Sequence, residues 1–183
     1  MLGEIGDEVI ITSLVKTGVG KEMCDDAVFD GNKIITHDDS TINRKDSNSW
    51  IAIADGVGGN AGGHEASTFL LEYIHENYVS NDKKTDLYAM LKEANEQLIA
   101  YAQEISGKEN MATTFTGIFF EIGEVKIAHS GNTRVYALQQ FSHLFQSEPY
   151  GFVLHVNTYF SQTIFSLINN DFSIFTHVVI PLF

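Results

Sequence analysis

Apolar and polar positions along the chain change rhythm several times, and each change predicts an element. Residues 8–16 (EVIITSLVK) and 26–36 (DAVFDGNKIIT) are rich in β-branched and aromatic side chains and read as strands, with Asp30-Gly31-Asn32 as a hairpin turn. A polar stretch from His37 to Asn48 reads as a loop. The run SWIAIAD (49–55) has the unbroken apolarity of a buried strand. It opens into Asp55-Gly56-Val57-Gly58-Gly59-Asn60-Ala61-Gly62-Gly63, where five of nine residues are glycine and backbone can approach a ligand closely.

Beyond that loop the spacing becomes helical. Ala66, Phe69, Leu70, Tyr73, Ile74 and Tyr78 mark one helix. Leu87, Met90, Leu91, Ala94, Leu98, Tyr101 and Ile105 mark a second, with Asn81 or Asp82 as its expected cap and Gly107 as its stop. Three strands follow, at 111–121, 124–130 and 133–138, with turns at Ile122-Gly123 and Gly131-Asn132. Strands, two consecutive helices, then strands again predict an α+β fold with largely antiparallel sheets.

Charge divides the chain at residue 138. All 11 Lys and Arg lie in 1–138, whereas 139–183 hold only Glu148 and Asp171 among charged residues and 8 of the 13 phenylalanines. The two stretches are therefore expected to be a folded domain and an aromatic, charge-poor tail. The tail has a 22-residue uncharged run from Pro149 to Asn170. His155, Asn157, Ser161, Gln162 and Thr163 interrupt it and no basic flank follows, so a β-rich appendix is expected rather than a membrane span. The net charge of −13 argues against a nucleic-acid partner, which needs a basic face. A single cysteine, Cys24, and an amino terminus without a basic and apolar leader point to the cytoplasm.

The strand, aspartate, glycine loop and helix at 49–75 is the strongest candidate for chemistry. Gly56-x-Gly58-x-x-Ala61 formally matches a dinucleotide fingerprint, but 80–86 (SNDKKTD) supplies no second parallel strand ending in an acid. No Gly-Lys-Ser/Thr closes the glycines as a phosphate loop requires. His64-Glu65 lacks the second histidine of a zinc helix, and Glu72 and His75 read as an exposed polar face. Cys24 lacks the arginine that a cysteine phosphatase places six residues later, where Asp30 stands, and reads as structural. Metal binding remains open: Asp55 ends one strand, Asp25 and Asp26 edge another, and strand-end carboxylates with a neighbouring glycine carbonyl suit hard cations. The alternative is that Asp55 merely starts a turn and Asp25-Asp26 is a solvated pair.

The segments Lys21-Glu-Met-Cys-Asp25-Asp26-Ala-Val-Phe, Ile51-Ala-Ile-Ala-Asp55-Gly56-Val-Gly58-Gly59 and His64-Glu-Ala-Ser67, followed by Met111-Ala-Thr-Thr114-Phe and His129-Ser-Gly131-Asn132-Thr-Arg134-Val-Tyr136, resemble the successive motifs of the metal-dependent protein phosphatases (PPM, type 2C). The resemblance covers roughly residues 8–140. It implies an αββα sandwich of two antiparallel sheets flanked by helices, incomplete at its carboxy-terminal end. It also implies two Mn²⁺ or Mg²⁺ ions holding a hydroxide that attacks the phosphorus of phosphoserine or phosphothreonine in a protein that is a kinase substrate.

Carried over by motif, Asp55 bridges the metals, Gly56 offers its carbonyl, and Asp26 with Asp25 holds a metal directly or through water. Lys21 stands where the family has a phosphate-gripping arginine, and keeps the charge without the bidentate fork. Asn132 replaces an aspartate tied to a third metal. The family's last two metal aspartates have no counterpart, since Asp171 lies in an unrelated setting. A working phosphatase with a reduced ligand set and a non-catalytic phosphatase-like binding domain, or an inactive gene remnant, are both compatible with these residues.

Overall fold

The computed structural model describes residues 8–46, 49–57, 61–78, 85–121, 124–139, 142–146, 152–157, 163–168 and 174–179. In chain order the elements are β1 (Glu8–Val15), β2 (Ala27–Phe29), β3 (Ile34–Ile35), β4 (Asp39–Asp46), β5 (Ser49–Ala54), α1 (Gly63–Asn77), α2 (Leu87–Glu104), β6 (Phe115–Glu121), β7 (Glu124–Ser130), β8 (Arg134–Gln139), β9 (Ser142–Gln146), β10 (Phe152–Asn157), β11 (Thr163–Ile168) and β12 (Ile174–Val179). They form two six-stranded sheets, ordered β4-β1-β12-β11-β8-β9 and β10-β7-β6-β5-β2-β3. Every strand pairing is antiparallel.

Alternation along the strands divides the core into two layers. Ile11 and Val15 of the first sheet meet Val28, Ile51, Ile53, Ile118, Phe120 and Ile127 of the second between the sheets. The second sheet's opposite face sends Ala27, Phe29, Trp50, Ala52, Ala54 and Phe119 against Leu70, Leu71 and Ile74 of α1 and Met90 and Ala94 of α2. Trp50 is stacked between Phe29 and Phe119, with ring centroids 4.1 and 5.6 Å away. Such offset pairs add about 0.5–1.5 kcal/mol each beyond the area they bury. Both described helices lie over this second sheet. On the outer side of the first sheet, Leu14 and Ile42 are 42% and 75% exposed.

Two expectations need correction. The stretch expected to be a polar loop at 37–48 contains β4, paired with β1 from Glu8↔Asp46 to Val15↔Asp39. An edge strand with one solvated face tolerates a sequence as polar as DSTINRKD, and charge there deters pairing with other chains. Asp30, fully buried, anchors it: its carboxylate accepts from Thr41 Oγ1 at 2.9 Å and Asn43 Nδ2 at 2.7 Å, and also from the turn amides of Asn32 and Lys33. The cap of α2 is Asp86, whose side chain accepts from the amides of Tyr88 and Ala89. The expected caps, Asn81 and Asp82, lie outside the described residues.

The tail segments enter both sheets. β10 pairs with β7, while β12 and β11 fill the space between β1 and β8. No described helix is long and apolar enough to cross a membrane.

Candidate metal and phosphate site

The register of the second sheet assembles the site. Ala27 pairs with Ala54, so one step outward Asp26 stands opposite Asp55 and the next step sets Asp25 opposite Gly56. Ile53 pairs with Thr116, and the line continues through the Thr114–Asp55 bond and the Gly56↔Thr113 bridge; Phe115 pairs with Ser130, and Gly131 follows against Thr114. Two adjacent rows therefore cross one end of the sheet: Asp26–Asp55–Thr114–Gly131 and Asp25–Gly56–Thr113. Four of the five residues expected to touch metal, Asp25, Asp26, Asp55 and Gly56, fall within these two rows, and Asn132 stands in the turn after β7. They are brought together by four strand ends that the chain visits far apart in sequence.

Strand alternation also separates them. Val28 and Ile53 face the space between the sheets, so Asp26 and Asp55, two residues further along their strands, look toward that same rim. Asp26 is buried and Asp55 half-buried. Asp25 turns to the helix side, where Gly63 at the start of α1 is so close that an added Cβ would lie 3.2 Å from the aspartate's Cβ. Its carboxylate thus sits near the positive end of a 15-residue helix whose first turn has no side-chain cap. Lys21 donates to Asp25 Oδ2 at 2.8 Å, and this bond raises the lysine pKa against the opposing effect of burial. The side chain expected to grip phosphate is half-exposed beside the acid it neutralises.

Several residues that the metal pattern does not single out hold the frame. Thr114 clamps Asp55 twice, its amide donating to the Asp55 carbonyl at 2.9 Å and its hydroxyl accepting from the Asp55 amide at 3.1 Å. The hydroxyl lies 3.4 Å from that of Thr133, beside the Asn132 turn. From α1, Ser67 Oγ donates to the Asp25 carbonyl at 2.7 Å, and His64 Nδ1 donates to the Cys24 carbonyl at 2.8 Å. These bonds dock the helix on the segment that carries Asp25 and Asp26. The signal for them is present in the sequence as hydroxyl residues and histidine at motif positions, but their partners emerge only from the fold.

Gly56 permits the junction. A Cβ there would lie 2.3 Å from both the Asp25 and the Gly63 carbonyl oxygens, so only a hydrogen fits between the two backbones. Asn132 is exposed, and its carbonyl accepts from Arg134 Nη1 at 2.7 Å. Cys24 is buried, and burial pushes its thiol pKa up, the environment of a structural cysteine rather than a nucleophile. Gly58, Gly59 and Asp171 lie outside the described residues.

The donors offered at this end of the sheet are the carboxylates of Asp26 and Asp55 on neighbouring strand ends, the Gly56 carbonyl, and the Asp25 carboxylate on the helix side. Among the described residues no group of three or more His, Cys, Asp or Glu side chains is placed to share an ion. Such a set suits a hard cation of the Mg²⁺ or Mn²⁺ kind that keeps much of its water and takes one or two carboxylates from protein.

Comparison with known proteins bears on the fold. No family model matches the sequence. The chain is 28% identical over 102 residues to the serine/threonine phosphatase stp of Listeria welshimeri, covering 52% of this chain and 40% of that protein. It is 30% identical over 92 residues to the serine/threonine protein phosphatase PstP of Mycobacterium tuberculosis, covering 49% of this chain and 18% of that one. The chain thus spans less than half the length of these relatives. Among solved structures, the catalytic domain of PstP in complex with two manganese ions superposes with a TM-score of 0.68 at 16% identity, over 94% of this chain and 97% of that domain.

The fold is that of the metal-dependent protein phosphatases.

Stp1 of Staphylococcus aureus gives the same answer, with a TM-score of 0.66 at 14% identity over 94% of each chain. The likeness of shape spans more of the chain than the sequence matches do.

Proposed function

We propose that this chain is a serine/threonine protein phosphatase domain that engages phosphoserine or phosphothreonine in a protein substrate at the rim bearing Asp26, Asp55, Gly56 and Lys21. The observation that carries the reading is the strand register that sets Asp26 opposite Asp55. Like charges facing across neighbouring strands destabilise a sheet. Cation binding between them turns that repulsion into attraction. The named relatives, phosphatases of phosphoserine and phosphothreonine, support the same reading.

Asp55, Asp26 and the Gly56 carbonyl would hold a Mn²⁺ or Mg²⁺ ion, with Asp25 contributing from the helix side through water. When bound, the ion supplies a more acidic water and neutralises phosphate charge. Lys21 draws the phosphate monoester toward the rim, and Thr114 keeps Asp55 from swinging with it. Release of Lys21 from Asp25 is part of phosphate binding in this scheme, because the same ammonium serves both anions. The reading includes a cytoplasmic location and substrates phosphorylated by a protein kinase.

A second reading, a phosphoprotein-binding domain without turnover, is favoured by the orientation of Asp25 away from the Asp26–Asp55 pair. Hydrolysis of p-nitrophenyl phosphate and of a phosphothreonine peptide with and without Mn²⁺ separates the two, with Asp55→Asn as control. Mn²⁺-dependent turnover lost in the variant establishes the phosphatase. Peptide binding without turnover, weakened by Lys21→Gln, establishes the binding domain. Neither turnover nor binding by folded protein overturns both.

A further inference from the structure

The strand end that carries Asp55 and Gly56 leads into a cleft beside α2. Gly56 is bridged to Thr113, and the Val57 amide donates to the Ala112 carbonyl at 2.9 Å, so the loop after β5 lies along the residues that enter β6. Thr113 lines the cleft with Phe115 and with Ser130, which pairs with Phe115 at the end of β7. Tyr88, Lys92 and Asn95 of α2 supply the other side. The cleft is open and holds about 380 Å³, within the roughly 300–1,000 Å³ range of ligand sites.

Its chemistry is polar and nearly neutral. Leu70, Leu98 and Phe115 are buried core residues that expose only an edge there, and Leu91 packs on the same core. What the cleft offers is mainly the hydroxyls of Tyr88, Thr113 and Ser130 and the Asn95 amide. No acidic side chain is among the lining residues, and Glu96, one turn on from exposed Lys92, offsets the lysine. Net charge therefore has little to grip. Uncharged donors and acceptors along an open trough suit polypeptide, whose main chain presents an N–H and a C=O at nearly every residue. Distance sets which part of a peptide arrives. From Gly56, Thr113 is one strand spacing away, about 5 Å, and Ser130 is two spacings across and two residues along, about 12 Å. An extended chain advances about 3.3–3.6 Å per residue, so the second and third residues from a phosphorylated residue at the rim reach this floor.

We infer that this cleft is the docking subsite for the substrate polypeptide, taking main chain and uncharged side chains two and three residues from the phosphorylated one. The inference rests on the phosphatase reading of the rim, because phosphate held there fixes where the flanking chain runs. Binding energy collected away from the phosphate then separates a protein substrate from a free phosphate monoester. The test uses the full chain and two ligands: a phosphothreonine peptide with four uncharged residues on each side, and phosphothreonine blocked at both ends. With Mn²⁺, kcat/KM is expected to be at least tenfold higher for the peptide. Asn95→Phe, an exposed position whose ring would cover the cleft, should cut that ratio at least fivefold. Gln97→Phe, exposed on the same helix but outside the lining, should leave the ratio as in wild type. Circular dichroism confirms that the variants are folded. Equal kcat/KM for the two ligands overturns the subsite and leaves the phosphatase reading standing, as does a ratio that Asn95→Phe does not lower or that Gln97→Phe lowers equally. If neither ligand turns over, the phosphatase reading fails, and isothermal titration in metal-free buffer decides the subsite. Tighter binding of the peptide than of the blocked amino acid, lost in Asn95→Phe, keeps it under the binding-domain reading; equal binding or none overturns it.

Discussion

Replacing Gly56 with alanine tests the central geometric claim, that the Asp25 segment, the Asp55 loop and the start of α1 meet at one point. The new Cβ would stand 2.3 Å from the carbonyl oxygens of both Asp25 and Gly63. Each contact is about 1 Å short of ordinary van der Waals separation. Both obstacles are backbone, so no side-chain rotation relieves them. The Asp25 carbonyl is held by Ser67 Oγ at 2.7 Å, and the glycine loop is held by Val57 N donating to the Ala112 carbonyl at 2.9 Å. Relief therefore requires α1 to lift or the β2 entry to retreat. Overpacking costs about 1–3 kcal/mol, and one disrupted hydrogen bond adds about 1 kcal/mol. The expected loss is about 3 kcal/mol, which lowers a urea midpoint by roughly 1.5 M for a slope near 2 kcal/mol/M.

Gly18→Ala is the matched control. Its Cβ would meet only the flexible Lys21 side chain, at an ordinary 3.5 Å. It should change stability by less than about 0.5 kcal/mol. Urea denaturation followed by Trp50 fluorescence measures both variants, because that ring is buried against Phe29, Phe119 and α1. Thermal scans with and without Mn²⁺ add a second readout: the metal-induced rise in Tm expected for wild type should vanish in Gly56→Ala, since any relief displaces Asp25 and Asp26 from Asp55. If Gly56→Ala unfolds at the urea midpoint of Gly18→Ala, the three-way junction is refuted, and the grouping of the acidic residues with it.

Two further outcomes follow from other charge pairs. Lys126 and Glu121 form a buried pair at 2.6 Å, with Tyr78 Oη donating to the same carboxylate at 3.0 Å; Glu121→Ala should cost about 3–5 kcal/mol by stranding the ammonium, and the double change to leucine should recover most of it in chemical denaturation. Lys108 holds the Glu65 carboxyl below its ordinary value of 4.5. Folded protein thus binds that proton less readily than unfolded protein, and the pair's contribution is present above pH 4.5 and lost as pH falls toward the lowered value. As a partly exposed pair it contributes about 1 kcal/mol or less, so Lys108→Met should lower the Tm slightly at pH 7, by an amount that shrinks as the pH falls below 4.5.

Much of the frame was legible because its signals are local. The Asp30 turn, the buried SWIAIA strand and the two helical stripes each declare themselves within a short window. β4 escaped because periodic apolarity marks strands buried on at least one face, and an edge strand closed by β1 on one side needs little of it. The Asp86 cap escaped because Asn81 and Asp82 upstream offered the same chemistry. At the site, strand-end aspartates were visible, yet which ones face each other depends on register. A shift of one residue in the β2–β5 pairing would set Asp25 opposite Asp55 and turn Asp26 toward the helices. Ser67, His64 and Thr114 act through backbone atoms of residues tens of positions away, which no spacing rule reveals.

The tail shows why fold and chemistry come from different stretches of this chain. β11 and β12 supply ladder hydrogen bonds to β8 and β1, and β10 extends the other sheet beyond β7. Backbone pairing of this kind asks only for extended, apolar-rich sequence, which the charge-poor tail has in excess. Divalent-ion binding asks for something sequence-specific: carboxylates at fixed positions, numerous enough to offset the ion's charge. Between Arg134 and the end of the chain there are only two acidic residues, Glu148 and Asp171, and neither falls in a described strand. Under the proposed function, Asp26, Asp55 and the Gly56 carbonyl would hold the cation, with water filling its remaining positions.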